Sequence, residues 1–261
     1  MTDTIDLNSD LGEGFGKYSL GDDRAMLDIV SSVNVACGFH AGDPDIMSRL
    51  AEETLARGVA LGAHPGFRDL HGFGRRPVHG IPDSELEHLI IYQVGALQAL
   101  ARAVGQTVTH VRAHGALGNM SDSDPAMAAP LARAVHRLDA GLALMTLPGC
   151  AADLAASSLG LKVARQAFAD RAYNDDGSLV SRALEGAVIT DPQAAAERVV
   201  RLVHEGTVTT ISGKVISLDA RTVCVHGDSP AAVAMAESIR TRLENEGISI
   251  RPFHDHDDWR R

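Results

Sequence analysis

Five apolar runs in this sequence end in a histidine or an aspartate set among small residues. They are Ile5-Asp6-Leu7-Asn8-Ser9-Asp10, Val33-Asn34-Val35-Ala36-Cys37-Gly38-Phe39-His40, Val59-Ala60-Leu61-Gly62-Ala63-His64, Val108-Thr109-His110-Val111-Arg112-Ala113-His114 and Val223-Cys224-Val225-His226-Gly227-Asp228. Short apolar runs of this length read as buried strands, and most are followed by a helical pattern. In parallel α/β folds the ligand sits at the carboxyl ends of the strands. Titratable groups recurring at that place predict one shared pocket.

Asp10 and Glu13 fall in Asp10-Leu11-Gly12-Glu13-Gly14, read as a polar turn after the first strand. Two carboxylates there divide acid and base roles, or one holds a metal or an ammonium group; the plain alternative is that Asp10 caps the turn. His40 lies between Gly38 and Gly42, which let backbone approach a ligand closely. Asp43-Pro44 reads as an N-cap with proline at the first helical position. That helix start aims free N–H groups at the same place, suiting phosphate or carboxylate. His64 precedes Pro65-Gly66, where the chain must turn, and His114 repeats the arrangement. Asp170 and Arg171 end another strand region. Asp170 is read as facing the pocket and Arg171 as binding an anion, against the alternative of a surface ion pair. His226 and Asp228 close the ring of strand ends. His71 and His79 read as solvated loop residues, although Arg75 or Arg76 in the same loop would clamp an anion if it folded over the pocket. His88, His136 and His204 fall in helical stretches and read as surface residues.

The elements that position these groups alternate almost throughout. Strands are expected near 4–8, 33–37, 59–63, 108–112, 142–147, 161–164 and 222–225. Helices are expected near 22–31, 44–57, 83–104, 125–138, 151–158, 191–205 and 229–246, and 248–250 offers one more strand. Seven or eight such units without a linker predict an α/β fold, a TIM-barrel-like (β/α) barrel, as one domain over residues 1–250. The loop over 65–82 is long enough to be functional. The run His254-Asp255-His256-Asp257-Asp258 has a metal-like composition, but 251–261 reads as a flexible tail.

A chain of 261 residues can bury the core of one large barrel. Aromatics are only 4% of it, so that core must be built from Ala, Val, Leu and Ile. The 34 acidic against 24 basic residues disfavour nucleic acid and anionic membranes as partners. Three cysteines without a CxxC pair exclude a disulfide framework or a thiolate zinc site. No signal region and no apolar run of about 18 residues is present, which makes the cytoplasm the expected location. Ser212-Gly213-Lys214 lacks the first glycine of a phosphate loop, and neither a G-x-S-x-G elbow nor an H-E-x-x-H pair occurs.

Six motifs together resemble the LamB/YcsF family. They are Asp6-Leu7-Asn8-Ser9-Asp10-Leu11-Gly12-Glu13-Gly14, Asn34-Val35-Ala36-Cys37-Gly38-Phe39-His40-Ala41-Gly42-Asp43, Gly62-Ala63-His64-Pro65-Gly66, His114-Gly115-Ala116-Leu117, Phe168-Ala169-Asp170-Arg171 and Val223-Cys224-Val225-His226-Gly227-Asp228. The resemblance implies a barrel related to glycoside hydrolases and polysaccharide deacetylases. It also implies a part in an ATP-dependent 5-oxoprolinase, which opens 5-oxoproline (pyroglutamate) to L-glutamate in an assembly with partner subunits B and C. Three positions depart from the family pattern: Arg112-Ala113 stands for Lys-Pro, Gly118 for Tyr and Gln166 for Glu. Arg112 keeps the charge with a different geometry, and Gln166 cannot act as a base.

The leading expectation is a cyclic-amide hydrolase in which ATP activates the amide oxygen. Asp10, Glu13, His40, His64, His114 and Asp170 form the expected catalytic set. Asn8, Arg112, Arg171, His226 and Asp228 are expected to bind substrate or phosphate. One alternative is a metal-dependent deacetylase or amidohydrolase with Asp10, His40 and His64 on a divalent ion. The other is a binding subunit that holds the substrate while partners do the chemistry.

Overall fold

A computed structural model of the chain describes residues 3–227 and 231–256. In chain order the elements are β1 (Thr4–Leu11), α1 (Asp23–Leu27), β2 (Ser32–Ala36), α2 (Pro44–Arg57), β3 (Ala60–His64), α3 (Asp83–Ala103), β4 (Val108–Arg112), α4 (Gly115–Ser123), α5 (Pro125–Leu138), β5 (Ala143–Thr146), α6 (Ala151–Ser158), β6 (Lys162–Phe168), α7 (Pro192–Glu205), β7 (Thr207–Thr209), β8 (Val215–Ser217), β9 (Thr222–Cys224), α8 (Ala232–Asn245) and β10 (Ser249–Ile250). Strands β1 to β6 and β9 pair side by side, and β1 also pairs with β9. All these pairings are parallel, so the sheet closes into a seven-stranded, TIM-barrel-like barrel. The β10 strand extends it beside the start of β1, and β7 and β8 form a separate antiparallel hairpin.

Three local expectations change. The β1 strand runs past residue 8: Asp10 and Leu11 pair with Asn34 and Val35. Asp10 is therefore a barrel residue rather than a turn cap, and the turn starts at Gly12. The helix expected over 22–31 is only the five residues of α1. Helix α4 and the β7–β8 hairpin carry too little periodicity to have been expected.

Alternation along the strands sorts the two faces. Ile5, Leu7, Leu11, Val33, Val35, Leu61, Val111 and Val223 join the apolar layer shared with the helices. The residues between them, Asp6, Asn8, Asp10, Ser32, Asn34, His64, His110, Arg112 and Thr222, are buried too. They point inward and bond one another. Ser31, Ser32 and Thr222 donate hydroxyl hydrogens to Asp6. Asn8 donates to Thr222, Asn34 donates to Asn8, and the ring N–H of His110 reaches Asn34 Oδ1 at 2.9 Å. Burial pushes the Asp6 carboxyl up to about 6 against the pull of those hydroxyls, and holds His110 down near 3.

Beside this column Ala143, Met145, Ala164 and Phe253 form a separate apolar cluster, with Phe253 under His110 and Met145 reaching the cavity. Phe253 is 1% exposed and packs edge-on to His110, with ring centroids 5.3 Å apart. Residues 251–256, expected within a flexible tail, are thus packed onto the barrel floor, because Phe253 fills space the small strand residues leave. Asp257 and Asp258 lie outside the described residues. Among the described residues no helix is long and apolar enough to cross a membrane.

Candidate active site

The carboxyl ends of the strands open onto a cavity of about 800 Å³ whose wall includes Asp10, Glu13, His64, Arg112, His114, Arg171 and His226. The strand-end prediction thus converges on one place. Three expected residues stand behind the wall. Asn8 is sealed beneath it with its amide engaged by Asn34 and Thr222, His40 lies behind the other histidines, and Asp170 backs His226. Asp228 lies outside the described residues.

Asp10 is the anionic centre. Its Oδ1 accepts from Arg112 Nη1 at 2.5 Å and from Asn34 Nδ2 at 3.0 Å, and its Oδ2 lies 3.5 Å from His64 Nε2. Burial alone would raise this carboxyl, but the Arg112 charge, with His64, holds it well below the usual range. Arg112 also lies over the ring of Phe168, 5.2 Å from its centre. Phe168 stacks on His226 at 5.3 Å, and His226 Nδ1 meets Asp170 Oδ2 at 2.7 Å. Burial raises Asp170 and the His226 contact outweighs it, so this carboxyl also sits low.

The histidines form a second group. His64 Nδ1 lies 2.7 Å from the Arg112 carbonyl and His114 Nε2 lies 2.7 Å from the Phe73 carbonyl. A carbonyl only accepts, so each of these nitrogens carries its hydrogen. That leaves His64 Nε2 and His114 Nδ1 facing each other at 3.0 Å. Two lone pairs at that distance need something positive between them, a shared proton or a cation. His40 stacks on His114 at 3.7 Å, nearly parallel, and both its ring nitrogens are buried without a hydrogen-bond partner among the described residues. Burial, reinforced by the neighbouring imidazoles, holds His40 well below its ordinary pKa and His114 near 3. Gly74 permits this stack: with φ at +63°, an added Cβ would meet His114 Cδ2 and His40 Cβ, each at 2.8 Å.

Glu13, His40, His64 and His114 place four candidate ligand atoms within 4.8 Å of one another. The cluster differs from the expected trio, because Arg112 and Asn34 hold Asp10 while Glu13 and His114 come in. Its donors fit a divalent ion of the zinc type. The distal N–H groups of His64 and His114 bind carbonyls, the usual support for metal-bound imidazole.

Arg171 donates from Nη2 to the Val180 carbonyl at 2.7 Å, while its Nε is buried without a partner among the described residues. Burial and the charge of Arg182 both lower its pKa. With Arg75 and Arg182 also on the wall, this end of the cavity attracts anions. Sequence reading passed over Asn34, Ser121, Thr146 and Asp122. Period-two alternation in β2 could have found Asn34; nothing local marks the rest. Cys150 donates its thiol hydrogen to Asp122 at 3.1 Å, and burial pushes that thiol up to about 12, which leaves it inert as a nucleophile.

The LamB/YcsF family model matches residues 5–258. The A subunit of a 5-oxoprolinase from Rhodopseudomonas palustris is 53% identical over 249 residues, covering 95% of this chain and 98% of its own. The crystal structure of a lactam utilization protein from Thermus thermophilus is 42% identical with a TM-score of 0.91, covering 95% of this chain and 99% of that one. A family 4 carbohydrate esterase from Streptomyces lividans, 10% identical with a TM-score of 0.50 over 95% of this chain and 91% of its own, shares the fold alone. With the family match running from the first strand through every strand end that builds the cavity, the chain belongs to the LamB/YcsF family.

Proposed function

We propose that the chain is the A subunit of an ATP-dependent 5-oxoprolinase and carries the site where the lactam of 5-oxoproline is opened to L-glutamate. The observation that carries this reading is the relative of that name, identical at about half of all positions over nearly the full length of both chains. The cavity region has the matching chemistry, with several arginines, a depressed carboxylate and, at His40 and His114, imidazoles that burial keeps from protonating.

Arg171, with its unpartnered Nε, takes the ring carboxylate or the phosphate. Transfer of the γ-phosphoryl group of ATP to the amide oxygen activates the ring carbon. One water adds there, the C–N bond breaks to give the amine and an acyl phosphate, and a second water releases phosphate. The facing nitrogens of His114 and His64 accept one proton of the attacking water between them, while Arg112 fixes Asp10 beside them. The chain acts with partner subunits B and C in the cytoplasm. Turnover of 5-oxoproline by the assembled subunits tests this, with His64→Ala and Asp10→Asn compared to wild type. Each variant should lose about 10²- to 10⁴-fold, the usual worth of a positioned acid or base. Unchanged turnover in both would remove these residues from the chemistry.

The facing nitrogens of His64 and His114 favour a second reading, in which a divalent metal sits between them with His40 and Glu13 beside it. The ion would polarise the carbonyl and acidify a bound water. Elemental analysis of chain equilibrated with zinc should give one ion per chain, lost in His114→Gln. Substoichiometric zinc in wild type would dismiss this reading.

A further inference from the structure

The β4–β6 side of the cavity holds polar groups that nothing else among the described residues engages. Gln166 on β6, Thr146 at the end of β5 and Ser121 on α4 all line the cavity. They are 2%, 5% and 0% exposed. Gln166 Oε1, Thr146 Oγ1 and Ser121 Oγ are each buried without a hydrogen-bond partner among the described residues. Buried polar groups are nearly always paired, and leaving one unpaired is unfavourable. Three together on one wall mark a surface built to hydrogen-bond a ligand. All three groups are uncharged, so the ligand part they suit is the part without charge, beside the Arg112 and Arg171 that end β4 and follow β6.

We propose that Gln166 reads the ring amide of the substrate, its Oε1 accepting the lactam N–H and its Nε2 donating to the lactam carbonyl. A five-membered lactam fixes N–H and C=O on the same side of the amide bond, the cis arrangement that open peptides avoid. A primary carboxamide presents one donor and one acceptor in the same fork, so the two close a ring of two hydrogen bonds. An ionised carboxylate at this position would accept the N–H but turn a second acceptor toward the carbonyl. Neutral Gln166 is therefore matched to an intact cis-amide, and the Thr146 and Ser121 hydroxyls serve the same ring edge. The site would reject N-alkylated lactams and ring lactones, which lack the N–H. This inference rests on the lactam-opening reading above.

Calorimetry on the full chain compares 5-oxoproline, its N-methyl derivative and the lactone of the same ring and carboxylate. Wild type should bind the lactam roughly 10- to 100-fold tighter than either analogue, since a buried acceptor is left unpaired when the N–H is missing. Gln166→Met should weaken lactam binding by about that factor and bring all three ligands within about threefold. Gln166→Glu, which keeps the shape and the acceptor, should fall between and retain the preference for N–H. Unchanged circular dichroism and melting temperature show that each variant is folded. A preference that persists in Gln166→Met, or is absent in wild type while 5-oxoproline still binds, overturns the role of Gln166 and leaves the functional reading standing. Discrimination as expected, without turnover in the assembled enzyme, leaves this inference and removes the functional reading. No binding of 5-oxoproline to wild type overturns both.

Discussion

Arg112 is the residue whose loss should report most directly on the electrostatics of the site. In Arg112→Met the Asp10 carboxylate, 6% exposed, keeps Asn34 Nδ2 at 3.0 Å and His64 Nε2 at 3.5 Å but loses its closest partner. Removing one member of a buried ion pair costs about 3–5 kcal/mol. Because two polar neighbours remain, the expected loss at pH 8 is at the lower end, about 3 kcal/mol. The sign differs between the two proteins. In wild type the folded-state pKa of Asp10 is depressed, so its stabilisation is present above the unfolded value and is lost as pH falls. In the variant, burial dominates and the pKa rises, so the contribution is lost as pH rises instead. Urea denaturation followed by circular dichroism between pH 4 and 8 reads the difference. The gap should be about 3 kcal/mol at pH 8 and shrink as pH falls toward 4, because Asp10 takes up a proton in the variant before it does in wild type. A gap of constant size would refute the charge argument and assign the loss to the packing of Arg112 on Phe168.

Two further substitutions test the barrel beneath the site. Phe253→Ala should lower stability by about 3–5 kcal/mol, as aromatic truncation in a core does, while leaving the KM for 5-oxoproline close to wild type. A stability unchanged in urea denaturation would mean that the 251–256 segment does not close the barrel. Asp6→Asn tests the raised carboxyl. With a folded pKa of about 6 against 3.8, Asp6 favours folding below the unfolded value and loses about 3 kcal/mol as pH rises through the folded one. Wild type should therefore lose that much stability relative to Asp6→Asn between pH 3.5 and pH 8. Parallel stability curves for the two proteins would show that the three hydroxyl donors keep Asp6 ionised throughout.

Much of the barrel was legible because most strands are short apolar runs and several helices open on a recognisable cap, such as Asp43-Pro44 and Asp191-Pro192. The strand-end histidines were legible for the same reason, since parallel strands deliver their carboxyl ends to one face. Less visible was the inner column. Read as uniform apolar runs, the strands hid the alternation Asp6-Asn8-Asp10 and Ser32-Asn34, which places a polar stack inside a small barrel and lengthens β1 by three residues. The charged composition of the tail drew attention away from Phe253, which among the described residues packs into the floor.

The chemistry of the centre depends on information that side-chain types do not hold. His64, His114 and their spacing are in the sequence, but which nitrogen of each carries the hydrogen is set by two backbone carbonyls. One belongs to Arg112, 48 residues from His64, and the other to Phe73, 41 residues from His114. Were either carbonyl turned away, that ring could take the other tautomer, and the pair would satisfy itself with an ordinary N–H to N hydrogen bond. With both in place each ring is fixed as a donor to the backbone, and the two remaining nitrogens converge on one point. The loop carrying Phe73 thus shapes the candidate site through its main chain as well as its ring. It makes the difference between a self-contained histidine pair and one that must share a proton or bind a cation.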